Sequence, residues 1–260
     1  MSAGAVISQP GKGGEGMAMQ PQGMAPGGPP MMSMPQVVVP AGLPPGLAYL
    51  ANLDEIRIHQ QMELLEVIVG WEKNNRYSIC NTQEQQFMFA KEETDCLTRQ
   101  CCGTARPFVM NITDNQGMNL IQLHRPFRCR GSCLWCCCLQ EMEIQSPPGM
   151  VVGTVKEVWT CWIPKYRVYD ATQQCIFTIV GDCCYCKCCV DVVFKVFDGD
   201  SEGQEIGQIV KHWGGCREMF GAANDFSIRL PPNMDLMKKA LLFGATFLID
   251  FNFFEYKGNN

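Results

Sequence analysis

Cysteine is the residue type with the most chemistry to offer in this sequence. There are 17 in 260 residues, an odd number, so they cannot all pair within one chain. Many fall in two dense clusters: Cys129, Cys133, Cys136, Cys137 and Cys138, then Cys183, Cys184, Cys186, Cys188 and Cys189. Each cluster contains a C-x-x-C pair, Cys133 with Cys136 and Cys186 with Cys189. Two such pairs could supply a tetrahedral four-thiolate zinc site. A second chemistry is thioester acylation, which needs exposed thiols near a bilayer and no fixed geometry. Leu134 and Trp135 beside Cys136–Cys138 favour an interface, and Arg125, Arg128 and Arg130 lie just upstream. One acyl chain holds a protein only marginally, so several chains plus basic residues make a durable anchor. The third possibility is burial of free thiols. The second cluster lacks the flanking Arg and Trp, so metal or burial gains weight there. All three chemistries presuppose a reducing compartment. That fits the first 16 residues, which contain no apolar run of signal-peptide length. Position 2 is Ser rather than Gly, which argues against N-myristoylation.

Covalent catalysis finds little support. His59 and His124 stand alone in the sequence and read as structural or surface residues. No Ser/His/Asp or Cys/His grouping, glycine-rich phosphate loop or pair of carboxylates at acid–base spacing is evident. The net charge of −5 lacks the basic surplus of a general nucleic-acid binder, so no nucleic-acid partner is expected. A mean hydropathy of −0.05 excludes a polytopic membrane protein.

The elements that must position these residues fall into three parts. Residues 1–45 are rich in Gly, Pro and Met with only Lys12 and Glu15 charged, too little apolar surface to offset ordering entropy. A disordered tail is expected there, with Pro26, Gly27, Gly28 and Pro29 matching the loose P-x-x-P pattern of SH3 ligands, a match that a Pro/Gly-rich linker also produces by chance; SH3 or WW-type proteins are the partners such a tail could recruit. Residues 46–260 form the folded domain. Within it, short alternating runs separated by turn signals include Arg76–Cys80, Gln86–Ala90, Phe108–Ile112, Met118–Leu123, Gln140–Ile144, Val151–Val158, Arg167–Tyr169, Ile176–Val180, Val192–Phe197 and Ile206–Val210. Period-two patterning with regular turns predicts an antiparallel sandwich or barrel. The pattern breaks at Pro231 and Pro232, after which 233–254 reads as one hydrophobic helix with Asn233 as its N-cap.

That helix is apolar on every side. Ala240, Leu241, Phe243, Phe247, Ile249 and Phe254 leave it no solvent face, so protein or lipid must enclose it. A membrane span needs about 20 apolar residues, and this run is interrupted by Asp250 and Asn252. An Asp at mid-membrane costs roughly 2.5–3.5 kcal/mol. The numbers favour a core helix inside β structure. A short C-terminal span, with Lys238 and Lys239 at the lipid surface, is the alternative.

Taken together, the segments Ile58–Glu66, Asp95–Cys102 with Arg106, Pro107 and Phe108, Arg125–Cys129, Leu139–Gly149, Lys211–Trp213 and Phe247–Glu255 resemble the phospholipid scramblases, in order, over nearly the whole folded region. The resemblance implies a mainly β fold of the Tubby-like type, a closed antiparallel β-barrel around a central hydrophobic C-terminal α-helix. It implies ATP-independent, bidirectional movement of phospholipids between leaflets; the terminal helix, with Asp250 and Asn252 as polar points in an apolar run, is the candidate element of a path. It places palmitate on Cys133, Cys136, Cys137 and Cys138. It also implies a membrane location on the cytosolic face, the plasma membrane first, with the nucleus or another organelle open to unacylated protein. Lys211, His212 and Trp213 lie in a segment similar to the family's nonclassical nuclear-import stretch. A strand end with Trp213 packed inside is the competing structural reading.

The family's acidic calcium loop is degraded here. Ala222, Asn224 and Asn233 stand where Asp is usual, which leaves Asn224, Asp225, Asn233 and Asp235 as weak Ca²⁺ candidates. A β-strand over Asp225–Leu230 is the alternative role for that stretch. A palmitoylated membrane adaptor or lipid-binding regulator, with partners recruited by the Pro-rich tail, is the second functional reading. A homo-oligomer is compatible with both.

Overall fold

The computed structural model describes residues 30–35, 38–39, 43–61, 74–102, 105–128, 138–182, 190–215 and 224–255. Each alternating run becomes a strand, with ends displaced by a few residues. The strands are β1 (Glu55–Gln61), β2 (Arg76–Cys80), β3 (Gln86–Glu93), β4 (Phe108–Asp114), β5 (Asn119–Arg125) and β6 (Glu141–Ser146). They continue with β7 (Met150–Val158), β8 (Lys165–Asp170), β9 (Cys175–Gly181), β10 (Val192–Asp198), β11 (Glu205–His212) and β12 (Asp225–Arg229). Neighbours in sequence pair antiparallel, and β1 pairs with both β2 and β12, which closes the barrel. The alternation had not singled out β1, although Ile56 and Ile58 are both buried. A short helix, α1 (Cys96–Cys102), and a 3-10 turn over Pro45–Leu50 were also not anticipated.

The period-two pattern sets what faces inward. Ile56 and Ile58, Met142 and Ile144, and Tyr166 and Val168 are buried, while Glu141, Glu143, Lys165 and Arg167 alternate with them on the outer wall. This is the reverse of a lipid-spanning barrel, whose outer band is apolar. Turn chemistry fixes the register. In the β4–β5 hairpin Asp114 Oδ1 accepts from the backbone N–H groups of Gln116 and Met118, both at 2.9 Å, and Gly117 takes φ +80°.

Eight strands make a barrel that side chains alone can fill. Twelve leave room for a helix, and α2 (Leu236–Ile249) occupies it, with every residue from Lys239 to Ile249 buried. A Cβ at Gly244 would come within 2.6 Å of Ile144 Cγ1, so glycine is what lets α2 lie close to β6. The helix is shorter than the 233–254 anticipated. Its cap is Asp235, not Asn233: Asp235 Oδ1 accepts from the N–H groups of Met237 (2.9 Å) and Lys238 (3.3 Å). Asn233 sits in the turn that follows the two prolines. At the far end a π-helical turn, Asp250–Phe254, replaces the last α turns.

Among the described residues no helix is long and apolar enough to cross a membrane, and α2 is enclosed by protein. Part of the N-terminal segment expected to be disordered is tied down. Met32 N–H donates to Gln86 O (2.9 Å) and Gln86 N–H to Pro30 O (2.8 Å). Pro26–Pro29 lie outside the described residues.

One buried charge holds the start of α2. Lys239 is fully buried, and its Nζ donates to the carbonyls of Leu50 (2.9 Å), Leu53 (2.9 Å) and Pro232 (2.8 Å). An ammonium at that depth is tolerable only with its protons satisfied. Lys239→Met keeps the aliphatic stem and removes all three bonds. It is expected to destabilise the domain by about 2 kcal/mol or more, read as a lowered urea midpoint; an unchanged midpoint would contradict this account.

Candidate functional site

The two ends of the barrel differ. At one end strands are joined by short turns, at 81–85, 115–118, 147–149, 171–174 and 199–204. At the other lie the longer connections 62–75, 94–107, 126–140, 182–191 and 213–224, with the shorter loop 159–164. The π-helical turn points to this second end. It meets Tyr77 near the start of β2, Asn224 before β12 and Arg125 at the end of β5.

The mouth of this end is plugged by a buried polar network. Asp250 Oδ2 accepts from Tyr77 Oη (2.7 Å) and its Oδ1 from Asn224 Nδ2 (2.8 Å). Arg106 donates through Nε to Glu92 Oε1 (2.7 Å) and through Nη2 to Glu92 Oε2 (3.0 Å), and also pairs with Glu255. Arg125 Nη2 donates to Gln140 Oε1 (2.8 Å) and Asn252 Oδ1 (3.3 Å), and Asn252 Nδ2 donates to Tyr166 Oη (3.1 Å). The guanidinium carbons of Arg106 and Arg125 lie 5.2 Å and 5.9 Å from the Phe251 ring centroid, in cation–π range. Burial raises the Asp250 carboxyl to about 7 against the pull of the Tyr77 hydroxyl, with Glu255 adding repulsion. Burial likewise raises Glu255, although the neighbouring Arg106 opposes it.

Among the described residues of this end, several large apolar side chains are exposed. Trp159, Trp162 (71% exposed) and Ile163 project from the 159–164 loop, and Phe127, Val190 and Trp213 are exposed on other connections of the same end. Cys161, between the two Trp, is exposed and free. Leu139, Trp159, Trp162 and Phe253 line one small crevice. Apolar side chains are also exposed at the short-turn end, among the described residues Met31, Met118, Met150 and Val151, none of them aromatic. On the outer wall near α1, an open groove of about 720 Å³ is lined by Glu93, Asp95, Glu141 and Glu143 together with His124 and Lys156.

The residues singled out from sequence are dispersed. Cys133, Cys136 and Cys137 lie outside the described residues, as do Cys183–Cys189. Cys138 is half-buried, and its carbonyl accepts from Gln140 Nε2 (3.1 Å), one step from Arg125. Both cysteine-rich stretches leave and re-enter the described fold at the long-loop end, through Arg128 and Cys138 and through Asp182 and Val190.

The calcium candidates are not brought together. Asn224 and Asp225 lie at one end of β12 and Asn233 and Asp235 beyond the other, separated by a strand of roughly 15 Å. Asn224 binds Asp250, Asp225 binds His59 and Asp235 caps α2. Lys211 is buried with its Nζ 5.7 Å from the Phe254 ring centroid, and His212 lies 3.0 Å from Asp191 and 2.8 Å from Ser227. Trp213 is 42% exposed rather than packed inside, because β11 ends at His212 and the chain turns away. Asp250 and Asn252, expected as polar points on a lipid path, are sealed in the plug.

Sequence reading missed Arg106, Glu92 and Tyr77, which lie far from Asp250 along the chain, and it missed the Trp159–Ile163 loop. That loop had a local signal, two Trp, a Cys and an Ile packed into one short connection.

Comparison with known proteins places the chain. A family model described as Scramblase matches residues 32–256. Phospholipid scramblase 1 of Mus musculus is 47% identical over 235 residues, which cover 90% of this chain and 70% of the mouse protein. The Homo sapiens protein of the same name is 48% identical over 233 residues, 89% and 72% of the two chains. Phospholipid scramblase 2 of Homo sapiens is 44% identical over 248 residues, 95% and 82%. An X-ray structure of an Arabidopsis thaliana protein aligns with a TM-score of 0.44 and 14% identity, covering 78% of this chain and 96% of that one.

The plug makes stability depend on pH with a defined sign. The folded state holds the Asp250 proton more tightly than the unfolded chain, whose carboxyl titrates near 3.8. That contribution is full below about pH 4 and is lost as pH rises through about 7. Asp250→Asn removes the loss. The variant should therefore gain on the wild type by on the order of 2 kcal/mol between pH 5 and pH 8. Denaturant melts across that range check it, and a pH-independent difference would contradict the assignment.

Proposed function

This chain belongs to the phospholipid scramblase family, and from that premise we propose that it lets phospholipids cross between leaflets in both directions, without ATP, while docked to the cytosolic face of a membrane by the long-loop end of its barrel. The plasma membrane is the first candidate, and unacylated protein is free to reach the nucleus or another organelle. The observation that carries the docking geometry is the exposed Trp159, Trp162 and Ile163 group, with Phe127, Val190 and Trp213 also exposed at the end where both cysteine-rich stretches meet the fold. Trp is the residue best suited to the headgroup region, having an apolar body and one polar N–H. Palmitate on Cys133, Cys136, Cys137 and Cys138 would supply the several acyl chains a lasting anchor requires.

Lipid translocation makes no covalent bond, so no catalytic residue is assigned. The barrier is the passage of a polar headgroup through hydrocarbon. The filled barrel interior and the sealed plug argue against a route through the protein. The aromatic loop and acyl chains, inserted into one leaflet, would instead loosen and thin the bilayer locally, and several copies together would enlarge that patch. The anchor is tied to a stiff support, since Cys138 bonds to Gln140, Gln140 to Arg125 and Arg125 to Asn252. With the four calcium candidates split between the ends of β12, we assign Ca²⁺ a weak role or none.

The same filled interior favours a second reading: a palmitoylated adaptor whose Pro-rich tail recruits SH3 or WW-type proteins and which moves no lipid itself. Reconstitution of the full chain in liposomes carrying a fluorescent phospholipid separates the two. Leaflet equilibration, little changed by Ca²⁺, is expected; tight vesicle binding with no equilibration would favour the adaptor. Trp159→Ala with Trp162→Ala should weaken vesicle binding roughly tenfold or more, while a binding isotherm matching the wild type would remove the docking surface. Changing Cys133, Cys136, Cys137 and Cys138 to Ala is expected to abolish hydroxylamine-sensitive labelling and release the protein from cell membranes; persistent labelling would place the acyl groups elsewhere, Cys161 first.

A further inference from the structure

The outer wall across β1 and β2 carries a cluster unconnected with the membrane-docking end. In the β1–β2 register Arg57 sits opposite Cys80 and His59 opposite Ser78, so Arg57, His59 and Cys80 share one face. The turn at 81–85 returns toward that face. Glu84 at φ +58° directs its carboxylate back over the strands, where Oε2 lies 3.0 Å from His59 Nε2. One donor atom each from His59, Cys80 and Glu84 lies within 4.8 Å of the others.

We propose that His59 Nε2, Cys80 Sγ and a Glu84 carboxylate oxygen form a binding site for zinc or a similar divalent transition metal, with water in the fourth position.

The donor set points to that class of ion. Imidazole nitrogen and thiolate suit zinc, whereas calcium and magnesium require an oxygen cage, and here the three side chains supply one nitrogen, one sulfur and a single carboxylate oxygen. The surroundings supply what a metal site needs beyond its ligands. Asp225 Oδ1 lies 2.9 Å from His59 Nδ1, so a proton held there leaves the Nε2 lone pair facing Cys80 and Glu84. Arg57 Nη1 donates to Glu84 Oε1, which fixes the carboxylate and leaves Oε2 for the ion. Cys80 is buried at the end of its strand, while His59 and Glu84 reach solvent, so an ion has an open approach. Without metal, the same geometry is satisfied by a proton on Nε2 that pairs His59 with Glu84, so metal and proton compete for one position. A bound ion would staple β1 to the β2–β3 turn, and Asp225 would tie the staple to β12 where the barrel closes.

The test uses the full chain, stripped with chelator and titrated with Co²⁺ and then Zn²⁺, beside His59→Gln, Cys80→Ser and Glu84→Gln. The other cysteines bind metal too, so the reading is the difference between wild type and variant. Each variant is expected to bind one equivalent fewer per chain and to lose a tetrahedral, thiolate-containing component from the cobalt spectrum. Asp225→Asn is expected to keep that equivalent but weaken it about 10- to 100-fold. Glu84 lies in an exposed turn, so its variant decides the matter if Cys80→Ser does not fold. Equal stoichiometry and superimposable spectra for wild type and Glu84→Gln would overturn the proposal.

Discussion

Residues 240–249 of α2 carry no charge and face apolar surroundings in every direction, so the helix has to be covered on all sides at once. That requirement organises the molecule. One sheet covers one face and a bundle leaves a solvent stripe, but a closed barrel covers everything. Its radius must accommodate a helix about 10 Å across with side chains, which is beyond what a barrel of eight strands encloses. Twelve strands meet the requirement, each lending alternate residues to the interior. Burial of Phe243, Phe247 and Phe251 alone contributes several kcal/mol, at roughly 1.5–3 kcal/mol for each fully buried large side chain.

Covering a helix leaves its two ends to be dealt with, and they are dealt with differently. At the short-turn end a single ammonium, Lys239, satisfies three carbonyls. At the other end the helix widens into a π turn whose Asp250, Asn252 and the adjoining Glu255 meet Tyr77, Asn224, Arg125, Tyr166 and Arg106. A network at this depth is stable only when its members are satisfied together, since a lone buried charge costs more than its partner returns. The consequence for function is direct. Asp250 and Asn252 are locked into closing the barrel, so the proposed membrane contact is sought outside it, on the rim.

The rim and the wall have opposite characters. The wall alternates charged and polar side chains outward, while the described part of the long-loop end, where the cysteine-rich stretches join the fold, exposes Trp, Phe and Ile side chains. This division of character is what the proposed seating of one end on a bilayer draws on. The same separation leaves the wall free for an unrelated role, which is where the His59, Cys80 and Glu84 cluster lies.

Period-two alternation from Arg76 to Val210 announced the β class, because side chains on a strand divide between two faces whatever the strand pairs with. The run after Pro232 announced an enclosed helix by the same reasoning, and its length argued against a span. The boundaries of that helix were less legible. Asp235 and Asn233 are both acceptable caps by residue type, and Asp235 is the one whose carboxylate meets the first N–H groups of α2. His59 looked solitary because its partners Glu84 and Asp225, and its neighbour Cys80, are brought to it only by the pairing of β1 with β2 and β12. The carboxylates of the supposed calcium loop were parted in the same way, by a strand running between them. Residue type and spacing thus determined what each segment must hide from water, since that is a property of local pattern. Which polar groups meet was decided only by barrel closure, because hydrogen bonds and ion pairs act over a few ångströms and the chain gives no measure of distance between residues a hundred positions apart.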